Sequence, residues 1–413
     1  MPHEYFAEWI VAASGDVVPR ATVLVRDDNC CDIVVGRTAH AVDLGDVAIV
    51  PGLVNAHTHL EFSLLPEPIP TTGRFTDWIR SVVAYRREHS DIVAGAIRAG
   101  IEETTRCGTT LIGDIATTGW SMNDYLDGDF CGVVFQELLG LTEARVAAQL
   151  EMARRSVVAE FSRTDSGPET PLSNLLLGLS PHAPYSVHPE LMRGAVELTK
   201  QSGRPLAMHL AETEAELELL ADGIGEFREL LEEFGLWSEG LFGGGKRPMQ
   251  LLELLAESPA PLIVHGNYLD DDELKFLAAR PQMTLVYCPR THAAFGHREH
   301  PWRRLRELGG SVAIGTDSRA SNPDLSVFAE LQFLAERHPD VSHLELLELG
   351  TSNGHRALTG CDDEADRPAS LTVIRLSDPR FRDPARDLFA RENQVVGTMI
   401  SGRWHFAPES LRP

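Results

Sequence analysis

The chain has 413 residues and a mass of 45.4 kDa, enough to bury a large core. Its 37 basic against 61 acidic residues leave a formal charge of −24, which disfavours a nucleic acid polymer as partner and favours a small neutral or cationic ligand. No run approaches the ~18 apolar residues of a membrane span, and the start MPHEYFAEWIVAASG lacks the basic residues and long apolar stretch of a signal peptide.

Six cysteines, Cys30, Cys31, Cys107, Cys131, Cys288 and Cys361, form no C-x-x-C pattern and no dense framework. They read as reduced thiols of a cytoplasmic protein with no membrane partner.

The first fifty residues hold short β-rich runs, IVAASG, ATVLVR and DIVVG, and the last fifty repeat the pattern with SLTVIRL and QVVGTMISGRWHF. The two ends are expected to build one small sheet domain from residues 1–50 and 366–413, around a central unit over 51–365. Within that unit, strands are expected near 49–56, 108–115, 131–136, 174–180, 204–210, 261–265, 283–288 and 311–316. Helical stretches with apolar residues three and four apart fall between most of them, as in TDWIRSVVAYRREH, DIVAGAIRAGIEETTRCG, LTEARVAAQLEMARRSVVAEF and PELMRGAVELTKQSG. The fold class that follows is α/β, a (β/α)8 TIM barrel with a small composite β-sandwich domain formed by both chain termini. A doubly wound open sheet is the alternative, but it accounts less easily for chemistry at several successive strand ends.

Loops are expected over 66–73, PEPIPTTG, and at Gly243–Gly245. Gly223 and Gly225 interrupt a helical pattern, which fits a loop between two helices or a mobile flap.

Polar residues that terminate buried runs locate the chemistry. In PGLVNAHTHLEFS, His57 and His59 are one residue apart, so on a strand both imidazoles face the same side. His209 ends LAMHL, His265 ends PLIVH, and Asp317 follows SVAIGT. In a barrel all five converge on the C-terminal rim, where a metal site becomes the natural reading. Thr213 and Glu216 form a capping-box signature that ends the preceding strand at His209 and leaves Glu212 on the short loop at the catalytic face.

The motifs PGLVNAHTHLE, MHLAET, VHGNYL and IGTDSRASN resemble the amidohydrolase superfamily, in its cytosine/guanine/adenosine-type deaminase and chlorohydrolase branch. The resemblance spans essentially the whole chain. It implies that His57, His59, His209 and Asp317 bind one divalent metal ion, and that Glu212 and His265 serve the hydrolytic water and the substrate.

The chemistry of the residues agrees. Three neutral imidazoles and a carboxylate suit Zn²⁺ most, with Fe²⁺ as the other choice, and the metal lowers the pKa of a water toward ~7. Asp317 can accept a proton, His265 can hydrogen-bond the forming hydroxyl, and Glu212 can protonate a ring nitrogen and then the leaving group. Superfamily members with two metals use a lysine near the end of strand 4. The only lysines here are Lys200, Lys246 and Lys275, none on that strand, which favours a single-metal site.

His182, in SPHAPYSVHP after strand 4, resembles a substrate-contacting histidine of the methylthioadenosine/S-adenosylhomocysteine and aminodeoxyfutalosine deaminase families. Glu61 after the HxH pair, Trp78 in GRFTDWI, a stretch that in the resembled family sits over the pocket mouth, Arg290 and His292 after strand 7, and Ser318 after Asp317 complete the candidate substrate contacts. Thr291 and His292 stand where the methylthioadenosine-type pattern has a Ser-Asn pair, a departure that leaves the substrate less constrained.

The expected activity is hydrolysis of a non-peptide carbon–nitrogen bond, as in deamination of a 6-aminopurine nucleoside derivative. The alternatives are displacement of chloride or an amine from an s-triazine-like ring, and a catalytically silent barrel acting as a binding protein. The partner is a small-molecule substrate, with homo-oligomer formation left open.

Overall fold

The computed structural model describes residues 3–26, 30–117, 119–126, 130–161, 175–360, 369–377 and 383–411, with side chains to residue 157 in the fourth of these stretches. Cys361, and the start of the C-terminal block at residue 366, lie outside the described residues. The other five cysteines are free thiols.

Eight strands in the middle of the chain pair in parallel and in sequence order. They are β6 (Leu53–Thr58), β7 (Thr109–Ala116), β8 (Gly132–Leu138), β9 (Leu175–Pro181), β10 (Leu206–Leu210), β11 (Pro261–His265), β12 (Thr284–Tyr287) and β13 (Ser311–Ile314). Their residues are almost all buried, as expected of parallel strands covered by helices outside and side chains inside. Val54, Phe135, Ala207, Val264, Val286 and Ala313 belong to one buried cluster inside the ring. The first and last strands meet at a parallel bridge between Thr58 and Asp317, so the sheet closes into a barrel. One to three helices separate most successive strands, which completes the (β/α)8 order.

The terminal strands are β1 (His3–Val11), β2 (Val17–Val25), β3 (Cys31–Val35), β4 (Val42–Asp43), β5 (Val47–Pro51), β14 (Leu371–Arg375), β15 (Gln394–Ile400) and β16 (Arg403–Phe406). They form one mixed sheet in the order β16-β15-β14-β5-β1-β2-β3, with β4 on β1. The two ends of the chain join where β5 runs antiparallel to β14, with Ile49 opposite Val373. Tyr5, Ile10, Ile49, Val373 and Met399 pack one face of this sheet, and Trp404 donates its indole N–H to the Tyr5 hydroxyl at 2.9 Å.

The single strand expected over 49–56 is in fact two, β5 and β6, one in each sheet. The apolar run IVPGLV hides the break, which falls at Gly52. There the chain passes so close to the second barrel strand that a Cβ on residue 52 would sit 2.1 Å from Thr110 Oγ1. Gly223 closes the helix Glu214–Asp222 with a left-handed φ of 68°, and Gly225 opens the helix Glu226–Glu233. The segment between them is a short helix–helix connection.

Gly52→Ala is expected to destabilise the fold by about 1–3 kcal/mol through overpacking. The Gly52→Ala/Thr110→Ala double variant should recover part of that loss. Urea denaturation midpoints check this, and an unchanged midpoint for Gly52→Ala contradicts the close approach.

Candidate metal centre and substrate cavity

The rim residues are set by strand geometry and by strained backbone just beyond the strands. His57 and His59 project from the end of β6 on one side. His209 comes from β10, and His265 ends β11. Asp317 lies three residues past β13. Ala211, His265 and Asp317 all adopt positive φ, at 54°, 67° and 57°. Non-glycine residues in that region cost on the order of 1–3 kcal/mol and persist where the surroundings over-determine them, most often at functional sites.

The ligand atoms of His57, His59 and His209 all lie within 4.8 Å of one another. Asp317 Oδ1 is 3.7 Å from His57 Nε2 and 3.8 Å from His59 Nε2, and the Nε2 atoms of His59 and His209 are 3.4 Å apart. All four side chains are buried. His209 Nδ1 lies 3.0 Å from the His182 carbonyl, which can only accept, so the proton sits on Nδ1 and Nε2 turns a lone pair into the centre. Both ring nitrogens of His57 are buried without a hydrogen-bond partner. Burial first, and then the neighbouring imidazoles, hold His59 and His209 well below the ordinary histidine range, so they stay neutral.

Burial alone would push Asp317 up, but the His57 side chain and the His265 and His59 rings outweigh it and keep the carboxyl ionised, well below its usual range. Ser321 Oγ donates to Asp317 Oδ2 at 2.8 Å and fixes its orientation. Converging lone pairs, one carboxylate and unsatisfied buried nitrogens form a donor set that fits a divalent cation.

Glu212 stands beside this centre. Thr213 caps the following helix by accepting from Glu216 N–H, as the capping signature implied. Glu216 does not return the bond to Thr213; its carboxyl accepts from the Ala211 and Glu212 amides instead, at 2.8 and 3.0 Å. The Glu212 carbonyl accepts from Asn267 Nδ2 at 2.9 Å. With its backbone held from both sides, Glu212 places Oε1 3.5 Å from His265 Nε2. Burial, aided by the negative Asp317 and Glu216, pushes Glu212 well above the carboxylate range, so it carries a proton. Burial lowers His265 to about 3 against the pull of Asp317, so its imidazole is neutral.

A cavity of about 300 Å³ opens from this centre. Its floor is His59, His209, Glu212, His265, Asp317 and Ser318; its walls include Phe62, Phe75, Trp78, Val82, Tyr185, Leu230 and Leu231. Of the expected substrate contacts, His182, Trp78 and Ser318 line it. His182 Nδ1 is 2.6 Å from Ser186 Oγ, and Trp78 is anchored by donating Nε1–H to the Ala320 carbonyl at 3.2 Å.

Glu61, Arg290 and His292 are not among the lining residues. Glu61 is engaged by Arg86 at 2.7 Å and by the Thr117 hydroxyl at 2.8 Å. Arg290 is spent on Glu330 at 2.7 Å and Asp324 at 2.6 Å, an ion-pair network behind the rim. His292 packs against Tyr287, His297 and His300.

The sequence reading also passed over residues that matter. Arg86, on the helix Phe75–Glu88, reaches the cavity wall between Glu61 and Glu137, which lies 3.9 Å from both Arg86 and His182. Glu137 stands one residue before the end of the buried strand GVVFQEL, as His209 does in LAMHL. Nothing in the helix pattern distinguishes Arg86 from its neighbour Arg87.

Comparison with known proteins places this arrangement. The sequence profile of the amidohydrolase family matches residues 48–405. The chain is 30% identical over 341 residues to aminodeoxyfutalosine deaminase of Deinococcus radiodurans, covering 78% of this chain and 75% of that protein. It is 27% identical to 5-methylthioadenosine/S-adenosylhomocysteine deaminase of Pyrococcus furiosus, over 84% and 80% of the two chains. Among solved structures, Helicobacter pylori aminofutalosine deaminase in complex with methylthio-coformycin superposes with a TM-score of 0.80 at 23% identity, covering 97% of this chain and 99% of that one. An adenosine deaminase from Xanthomonas campestris with bound zinc has a TM-score of 0.77 at 21% identity, over 99% and 94% of the two chains. These two likenesses show the shared fold.

Because the four candidate ligand side chains come from the ends of two barrel strands and the loop after a third, metal binding is expected to stabilise the native state. At a hundredfold excess over Kd the gain is about 2.7 kcal/mol. Chelator treatment should lower the melting temperature and Zn²⁺ should restore it, whereas Asp317→Asn should blunt the response. A chelator-treated protein that melts where the loaded protein does contradicts this centre.

Proposed function

This chain belongs to the amidohydrolase family, it is a hydrolytic, metal-dependent deaminase, and we propose that its substrate is a 6-aminopurine nucleoside derivative. The observation that carries the proposal is the geometry of one small, apolar-walled cavity whose floor brings Glu212 and His265 beside the cluster of His57, His59, His209 and Asp317, with burial pushing Glu212 up and the neighbouring rings holding Asp317 down. Two carboxyl groups whose environments push them apart have their roles assigned, one as acid and one as base. The names of the relatives, deaminases of adenosine derivatives, support the same substrate class.

In this reading His57, His59, His209 and Asp317 hold one divalent cation, zinc by preference. Bound there, the cation supplies Lewis acidity and lowers the pKa of water toward ~7. Asp317 accepts a proton from the attacking water. Glu212 gives its proton to the ring nitrogen next to the carbon under attack, takes the proton of the new hydroxyl and passes it to the departing amine, while the proton held by Asp317 returns to Glu212, so that water and the amine become the oxo product and ammonia. His265, neutral and 3.5 Å from Glu212, hydrogen-bonds the forming hydroxyl. His182 and Ser318 meet the polar edge of the base, and Trp78 with Phe62 and Phe75 covers its faces. The absence of lysine from β9 supports one cation rather than a lysine-bridged pair.

Displacement of a group from a triazine ring has less support. The solved triazine hydrolases are 17% identical to this chain and share its fold.

Glu212→Gln is expected to keep its metal, about one ion per chain by elemental analysis, while ammonia release falls by about 10²–10⁴-fold. Near-normal turnover in that variant would sink the proton-transfer role, and two ions per chain would overturn the single-metal reading.

A further inference from the structure

The ring of His265 faces the site, but its backbone is in the left-handed region, with φ at 67°. A histidine held there tends to relax unless something outside the strand restrains it. One side chain does so from a distant loop. His300 lies between the helices Pro289–Ala294 and Trp302–Glu307, and its Nε2 is 2.8 Å from the His265 carbonyl oxygen.

The tautomer of His300 follows from its partners. Nδ1 is 3.1 Å from the Trp302 amide, which can only donate, and Nε2 faces a carbonyl, which can only accept. Nε2 therefore carries the proton. The ring is 4% exposed and stacks on Tyr287 with centroids 3.8 Å apart and planes at 16°, so it cannot swing away without disturbing β12. It does not line the substrate cavity.

We infer that His300 is a positioning residue: its Nε2–H bond to the His265 carbonyl holds His265 in the strained conformation that sets its imidazole 3.5 Å from Glu212. The inference rests on the proposed role of His265 in the deamination. A residue that only filled the core beside β12 would matter for stability but not for the turnover step.

The test compares His300→Gln, which keeps an amide donor, with His300→Leu, which has none, in the full-length metal-loaded enzyme. His300→Leu should lose on the order of 10- to 100-fold in kcat, the scale of a misplaced reacting group, with KM and metal content little changed. His300→Gln should recover most of that loss. In a His265→Ala background His300→Leu should add nothing further. A KM effect with kcat intact, a glutamine variant no better than leucine, or additive losses would overturn the inference. If His265→Ala alone leaves kcat intact, the proposed role of His265 fails, whereas the geometry of His300 is read separately from ring ¹⁵N shifts of the wild-type protein. Those shifts should show His300 as a neutral Nε2–H ring whose signal vanishes in His300→Gln; an Nδ1–H ring overturns the inference however the variants fold.

Discussion

The backbone carbonyl of His57 is where this barrel closes. It accepts from both the Thr316 and Asp317 amides at 3.1 Å, while Thr58 Oγ1 donates to the Asp317 carbonyl at 2.7 Å. Asn55 adds bonds in both directions with Thr316. The first and last barrel strands are therefore zipped by the same residues that supply two of the four proposed ligands. Closing the sheet and assembling the site are one event, and an error in register of one residue would turn His57 and Asp317 away together. Gly315 shows how tight the seam is: a Cβ there would come within 2.8 Å of the His57 carbonyl oxygen.

From that seam the electrostatics follow. Four side chains with converging donor atoms are buried together, so the His59 and His209 imidazoles lose protons and the one well-partnered carboxyl keeps its charge. The same burial does the opposite to Glu212, which has backbone support but no cationic partner for its side chain. The two carboxyls thus differ because of what surrounds them, although they face one cavity.

Much of this was legible in the sequence because buried parallel strands are continuous apolar runs, and a polar residue at the end of such a run marks the rim. The eight barrel strands and the rim positions of His57, His59, His209, His265 and Asp317 came from that rule; Glu212 came from the capping signature at Thr213, and the ligand assignment from the family resemblance. The rule misled in two ways. Gly52 ends one strand and begins another inside a single apolar run, and only the contact with Thr110 reveals the change of sheet. Arg290 and His292 do follow a strand end, but Arg290 is drawn away by Glu330 and Asp324, forty and thirty-four residues later, partners that no local pattern exposes. Arg86 and Tyr185 enter the cavity only through packing between helices and loops distant in sequence, whereas Glu137 obeyed the rule and could have been found with it.

The most direct measurement is ammonia release by the metal-loaded protein across a panel of 6-aminopurine nucleosides, pterins, guanine, cytosine and amino- and chlorotriazines. Release from the 6-aminopurine nucleosides well above that from the other amines is the expected result. No ammonia from any amine, with chloride displaced from a triazine, would contradict the account.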